Sequence, residues 1–156
     1  EKPGSYSPPD IFERGGLSPI GKFVNMGYYD PIPADQIPNG SLDLITCYIG
    51  LHHIPLEKLE PFIKSISDTL KRGGNFILRD HDVKTEEMHV FVSLVHTVFN
   101  AGLQETLETE KKDFKRFRPI TQWVDILSRH GLKESGERLL QKNDPTDNTL
   151  LIFTKE

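Results

Sequence analysis

Cysteine is nearly absent from this chain, and Cys47 is the single thiol among its 156 residues. One cysteine excludes an intrachain disulfide, so a buried core has to hold the fold, and a reducing compartment is the natural setting. Cys47 lies inside an apolar run, which favours a small buried side chain over a nucleophile. We therefore expect neither a disulfide scaffold nor cysteine catalysis.

Long apolar runs and excess positive charge are missing as well. No run approaches the roughly 18 residues of a membrane span, and the first residues lack the basic-then-apolar pattern of a signal peptide. The formal net charge of −4 argues against nucleic acid, because basic side chains that neutralise phosphates drive such binding. We expect a cytoplasmic protein without membrane contact that acts on a small molecule or a protein.

The length and the distribution of proline and glycine indicate one folded domain behind an irregular arm. A chain of 156 residues suits a single domain with one core. Residues 1–21 contain four prolines and four glycines, which predict an irregular arm or linker. Residues 22–156 are predicted to form the domain, which begins with a short strand over residues 23–26.

A strand, a helix and a second strand are predicted in the middle of the chain. The apolar run over residues 42–49 suits a strand that is covered on both faces at the centre of a sheet. Apolar residues recur at helical spacing over residues 56–70, and Gly73 offers a stop for that helix. Residues 75–79 give the next strand. A helix that connects two strands is the usual crossover of a parallel pair.

The second half of the chain predicts two further helices and an antiparallel strand pair. Thr85 precedes two acidic residues and an apolar stripe, which marks the start of a helix. Residues 104–118 are polar and are compatible with a frayed helix, a loop or a lid. Thr121 is the predicted cap of a last helix, and strands over residues 132–141 and 149–154 follow. The fold class is therefore α/β, with a mainly parallel sheet and an antiparallel C-terminal pair.

Polar side chains are concentrated directly after the two central strands. In open parallel sheets, ligands bind outside the carboxyl ends of the strands, so a functional site is expected at this edge. The residues that we expect to meet there are His52, His53, Arg79, Asp80, His81 and Asp82.

Three segments of the central unit carry a family resemblance: Asp43-Leu44-Ile45, Leu51-His52-His53-Ile54 and the stretch LKRGGNFIL at residues 70–78. They resemble the second half of a class I S-adenosylmethionine-dependent methyltransferase of type 11. Residues 23–27 look like the third strand of that family, and residues 119–155 look like its last helix and closing strand pair. The resemblance covers roughly residues 22–156 and implies a Rossmann-like sheet that lacks the first two strands.

The resemblance also implies a cofactor and roles for particular residues. S-adenosylmethionine is the expected cofactor, and methyl transfer proceeds mostly by positioning of the acceptor. An acidic residue after the first predicted strand often contacts the adenine in this family. The residues assigned in this way are Asp30, Cys47 and Tyr48 for the cofactor, His52 and His53 for catalysis, and Arg79, Asp80 and His81 for the substrate.

One feature of the family is missing from the sequence. The family holds its cofactor with a Gly-x-Gly loop, and no such triplet occurs in the 156 residues. The chain is then either a fragment or subunit that supplies the substrate side of a larger methyltransferase, or a degenerate domain that has lost the cofactor. The second option predicts a non-catalytic module that binds a partner or oligomerises. We expect weak or no cofactor binding by the chain alone.

The missing strands also predict an exposed sheet edge. Without them, the strand over residues 42–49 would present an unpaired edge, and such edges recruit other strands. We expect this edge to be covered by residues 23–26 or by a second copy of the chain. A two-fold homodimer would satisfy both copies with one self-complementary contact.

Metal binding is the alternative role of the histidines. Imidazole and carboxylate groups bind several transition metals, but His52, His53 and residues 80–82 match no closed structural zinc spacing. Adjacent strand residues also point to opposite faces, which limits how many can converge. We therefore predict no metal site. His89 and His96 are interpreted as bordering the apolar stripe of their helix.

A basic cluster interleaved with two phenylalanines occurs between residues 111 and 118. Such a cluster can hold phosphates and stack bases, but nearby acidic residues partly balance its charge. The favoured interpretation is a solvated loop that Phe114 and Phe117 dock to the domain. The resemblance keeps a substrate lid as the alternative.

Overall fold

The structure is a computed structural model that describes residues 22–113 and 115–156. The arm predicted for residues 1–21 lies outside the described residues. The elements in chain order are strand β1 (Leu42–Tyr48), a short 3₁₀ helix (Leu51–His53), helix α1 (Leu56–Thr69), strand β2 (Leu70–His81), helix α2 (Glu86–Gly102), helix α3 (Leu107–Lys112), helix α4 (Ile120–Ser128), strand β3 (Leu132–Leu140) and strand β4 (Asn148–Lys155).

The four strands form one mixed sheet in the order β1-β2-β4-β3. β1 and β2 are parallel, whereas β4 is antiparallel to both β2 and β3. The α/β class and the antiparallel C-terminal pair are confirmed. The parallel part consists of one pair, because α1 is the one parallel crossover among the described elements.

β1 occupies an edge of the sheet rather than its centre. The side chains of Leu44 and Tyr48 are 52% and 51% exposed, so the prediction of a strand covered on both faces is wrong. Among the described strands, β1 pairs with β2 alone. Its second edge therefore meets no strand within residues 22–113 and 115–156.

The strand predicted over residues 23–26 is also wrong, because local turn chemistry prevails there. The segment is irregular, and Asn25 Oδ1 accepts a hydrogen bond from the Gly27 backbone N–H at 3.0 Å. Gly27 has a φ of +67°, which glycine adopts without strain and which ends an extended segment. This segment therefore forms no strand pair with the β1 edge.

α1 passes directly into β2, and the Gly-Gly pair lies within that strand. The helix ends at Thr69, so the predicted stop at Gly73 is wrong. Leu42 pairs with Leu70 but Leu44 pairs with Asn75, which defines a bulge in β2. A Cβ atom at Gly74 would lie 2.9 Å from the carbonyl oxygen of Lys71, so this bulge requires glycine.

The predicted N-terminal cap is confirmed for helix α2 and wrong for helix α4. Thr85 accepts a hydrogen bond from the backbone N–H of Met88 at 3.2 Å, as its sequence predicts. The predicted cap of α4 at Thr121 is wrong, because α4 begins at Ile120 after Pro119. The side chain of Asp82 accepts the Ile120 N–H instead.

The core lies between the sheet and helices α1 and α4. Alternate residues of β2 and β4 face these helices, and the apolar positions of α1 recur every three to four residues. The fully buried side chains include Phe76, Leu78, Leu151, Phe153, Ile63, Ile66, Trp123 and Leu127.

The apolar stripe of α2 remains largely at the surface. Val92 is its buried residue, while Val90, Leu94, Val98 and Phe99 are 57–63% exposed. Exposed apolar patches of this kind are typical of surfaces that contact another molecule or segment. None of the described helices combines the length and apolar character that crossing a membrane requires.

Candidate functional site

The carboxyl ends of β1 and β2 lie side by side, as the sequence predicts. Tyr48 pairs with Arg79 in the parallel register, so the residues that follow the two strands meet at one edge. The ring nitrogen His52 Nδ1 lies 2.6 Å from Asp80 Oδ1. The rings of His52 and His53 are 4.1 Å apart, and those of His52 and His81 are 5.5 Å apart.

Asp80 is a buried carboxylate that organises this edge. Its Oδ1 atom accepts hydrogen bonds from His52 Nδ1 and from the backbone N–H of His81, the latter at 2.8 Å. Both the His52 and Asp80 side chains are shielded from solvent, with 0% and 1% exposure. Because Nδ1 donates to the carboxylate, the neutral form of the His52 ring carries its lone pair on Nε2.

His81 is held by the loop between β3 and β4. Thr146 donates its hydroxyl hydrogen to Asp144 at 2.5 Å, so the Thr146 oxygen can accept from His81 Nδ1, 3.0 Å away. His81 therefore also carries a lone pair on Nε2. That atom lies 2.9 Å from Nε2 of His96 on α2.

The two paired histidines are held in their neutral forms. Burial is the main cause that lowers the pKa of His96 to about 3, and the neighbouring His52 and His81 add to it. Burial also lowers the pKa of His81. Both imidazoles are then uncharged at neutral pH, since the charged form is penalised away from water.

Phe117 covers the histidine cluster on one side. Its ring lies 4.8 Å from the His52 ring, 4.9 Å from the His96 ring and 5.5 Å from the His81 ring. An apolar cover limits the access of water to the imidazoles. Phe117 thus docks the segment after α3, as predicted for the basic cluster, while Phe114 lies outside the described residues.

A cleft of about 420 Å³ borders the cluster. His53, His81 and His96 line it together with apolar residues of α2 and the loop after β3. The His53 Nδ1 atom lies 2.7 Å from Asp113 Oδ1, and both side chains are 21% exposed. His53 therefore combines a carboxylate contact with access to the cleft, whereas His52 is fully buried.

The residues assigned to the cofactor differ in their contacts. Cys47 lines a second cavity of about 310 Å³ with the turn at residues 26–29, and burial raises the pKa of its thiol to about 12. Tyr48 faces solvent, with the Arg79 guanidinium 5.4 Å from its ring. Asp30 forms an exposed ion pair with Lys58 at 2.8 Å.

Arg79 is separated from the other residues assigned to the substrate. Besides Tyr48 it contacts the Gln141 side chain at 3.3 Å, while Asp80 is buried with the core face of β2. The alternation of side chains along a strand accounts for this separation. The structure therefore brings together His52, His53, Asp80 and His81, whereas Arg79 contacts Tyr48 and Gln141 instead.

One lysine of the basic segment after α3 is paired with a carboxylate of the domain. Lys115 pairs with Glu110, and Glu110 also accepts from Thr97 and Asn100 of α2, both at 2.6 Å. The hydrogen bond from Lys115 is the main cause that lowers the pKa of Glu110 to about 2. These contacts fit a loop balanced by nearby carboxylates.

Three members of the site carry no sequence signal of their own. His96 was interpreted as a border residue of α2, and neither Asp113 nor Thr146 was singled out. Each is brought to the strand ends by elements that follow β2 in the chain. Only their spacing in three dimensions reveals them.

The comparisons with known proteins define the fold class. No family model and no curated protein matches the sequence. Solved structures do match, and methyltransferases among them share the mixed α/β sheet of this chain. The chain spans about a third of the length of the first chains that it matches.

Three of these neighbours illustrate the range. An O-methyltransferase family protein from Burkholderia thailandensis has a TM-score of 0.54 and 14% identity, covering 80% of this chain and 33% of its own. TnmH has a TM-score of 0.55 and 15% identity, and the match covers 83% of this chain and 33% of TnmH. LepI in complex with SAM has a TM-score of 0.60 and 11% identity, and the match covers 97% of this chain and 35% of LepI. Identities this low establish the fold alone.

Proposed function

We propose that this chain is the acceptor side of an S-adenosylmethionine-dependent methyltransferase that acts on a small molecule. The observation that carries the proposal is the cleft at the carboxyl ends of β1 and β2, lined by imidazoles and apolar side chains. Its volume of about 420 Å³ falls in the range of small-molecule sites. The shared fold with methyltransferases supports the cofactor assignment.

His53 is the residue that we assign to proton removal from the acceptor. Asp113 holds its Nδ1 atom, the arrangement that orients a general base, and the ring borders the cleft. His52 is fully buried, and in this proposal its role in the site is structural. Methyl transfer itself depends on the alignment of acceptor and methyl group.

The test is transfer of tritiated methyl groups from S-adenosylmethionine to a panel of small hydroxylated acceptors. The assay uses the natural protein that contains this 156-residue chain. We expect His53→Asn to lower kcat by about 10²-fold or more and to change KM little. His89→Asn is the matched control, because His89 lies on α2 and contacts Phe117. Failure to transfer to any acceptor while the cofactor is bound would contradict the proposal.

A second candidate is a non-catalytic module for oligomerisation or partner binding. The uncovered edge of β1 and the exposed apolar residues of α2 favour it. One neighbour described as "A Pericyclic Reaction enzyme" shares the fold at a TM-score of 0.60, and a fold does not fix a function. Cofactor-independent self-association of the chain supports this candidate.

A further inference from the structure

Three imidazoles converge at the wall of the cleft from three different elements. His52 follows β1, His81 ends β2 and His96 lies on α2. Each offers one ring nitrogen, and these three atoms all lie within 4.8 Å of one another. Three imidazoles that leave room for a further ligand are a donor set of catalytic zinc ions.

The outer hydrogen bonds of two of these rings already have the pattern of a metal site. His52 Nδ1 donates to the Asp80 carboxylate at 2.6 Å, and His81 Nδ1 donates to Thr146 Oγ1 at 3.0 Å. Metal-bound histidines almost always donate their second ring N–H to a carboxylate or another oxygen. Both Nε2 lone pairs are thereby directed to the centre of the cluster.

The Nε2 atom of His52 supplies independent evidence for a ligand. The side chain is 0% exposed, and within the described residues this nitrogen has no hydrogen-bond partner. A buried acceptor without a partner is costly. Coordination to a cation at the centre of the cluster satisfies it.

We propose that His52, His81 and His96 bind one divalent transition metal ion, with zinc as the preferred ion. In a tetrahedral zinc site with Zn–N bonds of about 2.1 Å, the ligand nitrogens lie about 3.4 Å apart. His81 Nε2 and His96 Nε2 are now 2.9 Å apart, and the largest separation in the set is below 4.8 Å. Small side-chain rotations therefore suffice to reach the bound geometry.

The fourth position of the ion faces the cleft, because His81 and His96 both line it. A water molecule or an oxygen atom of a small-molecule ligand is the group that would bind there. The apolar side chains of Val95 and Phe99 line the same cleft and suit the carbon skeleton of such a ligand. The site does not depend on methyl transfer, so it stands or fails by itself.

The experiment is a zinc titration of the metal-stripped 156-residue chain against a chromogenic zinc indicator, with the visible spectrum of the cobalt form as a second readout. We expect one ion per chain and the intense absorption of tetrahedral cobalt. His96→Asn is expected to weaken zinc binding by about 100-fold or more, and Asp80→Asn by about 10-fold to 100-fold. His89→Asn, on the same helix, serves as the control and is expected to bind like the unchanged chain.

Circular dichroism first establishes that each variant is folded. The proposal is overturned if the unchanged chain binds no zinc, or if His96→Asn binds zinc as tightly as His89→Asn. It is also overturned if the cobalt spectrum is that of an octahedral ion held by water. Because the readouts are binding and absorption, a failure of the methylation assay leaves this test unaffected.

Discussion

Asp82 caps a helix that begins 38 residues further along the chain. Its Oδ1 atom accepts a hydrogen bond from the backbone N–H of Ile120 at 3.0 Å, the first residue of α4. α4 has no capping side chain of its own, because Pro119 precedes it. The carboxylate also lies where the helix dipole favours negative charge. The end of β2 and the start of α4 are thereby joined.

Replacement of Asp82 by alanine is expected to lower the free energy of unfolding by about 1 kcal/mol, the usual effect of losing a helix cap. Urea denaturation followed by circular dichroism measures it. Asp43→Ala is the matched control, since Asp82 pairs with Lys84 and Asp43 pairs with Lys71, but the Asp43 side chain is 81% exposed. We expect the control to change stability by less than about 0.5 kcal/mol. Equal effects of the two substitutions would refute the cap.

The thiol of Cys47 is expected to resist alkylation. Burial raises its pKa from 9.0 to about 12, so at pH 8 the thiolate is about 10³-fold rarer than in the unfolded chain. Iodoacetamide should therefore modify the native protein far more slowly than the protein in urea. Similar rates in both conditions would show that the thiol is accessible and normally acidic.

The same shift predicts how stability changes at alkaline pH. The folded state holds the Cys47 proton more tightly than the unfolded state, so protonation of this thiol contributes to the free energy of unfolding. This contribution is fully present below pH 9.0 and is lost as the pH rises from 9.0 toward about 12. Cys47→Ser is expected to flatten this part of the stability profile, as measured by urea denaturation between pH 8 and pH 11. An unchanged slope would assign the pH dependence to other groups.

The isolated 156-residue chain is expected to bind S-adenosylmethionine weakly or not at all. The sequence contains no Gly-x-Gly triplet, the loop with which the resembling family holds this cofactor. Isothermal titration calorimetry measures the affinity directly. A dissociation constant in the low micromolar range, about −8 kcal/mol, would contradict this prediction.

A homodimer through the β1 edge is expected in solution. Residues 23–26 do not pair with that edge as a strand, and an unpaired strand edge recruits another strand. Light scattering coupled to size exclusion should give twice the mass of the chain. Leu44→Lys places a charge on β1 and is expected to yield a monomer, whereas Leu56→Lys on α1 is not. Both positions are more than half exposed, at 52% and 57%. A monomeric unchanged chain would rule this contact out.

The sequence alone predicted the elements whose signals are local. Apolar spacing located α1 and α2, the Thr85 cap located the start of α2, and the turn residues separated β3 from β4. The meeting of His52, His53, Asp80 and His81 also followed from the sequence, because residues after parallel neighbouring strands share one edge. These predictions required only the spacing of apolar residues and the order of the strands and helices along the chain.

Tertiary structure decided what depends on contacts between distant segments. It placed β1 at an edge of the sheet. The sequence could not predict this position, because an apolar pattern does not state which strand pairs with the other side of β1. Tertiary structure set the Gly-Gly bulge through the approach of the Leu42 and Lys71 carbonyls, and it replaced the expected Thr121 cap with Asp82. It also brought His96, Asp113 and Thr146 to the strand ends, where the packing of α2 and two loops determines which side chains meet.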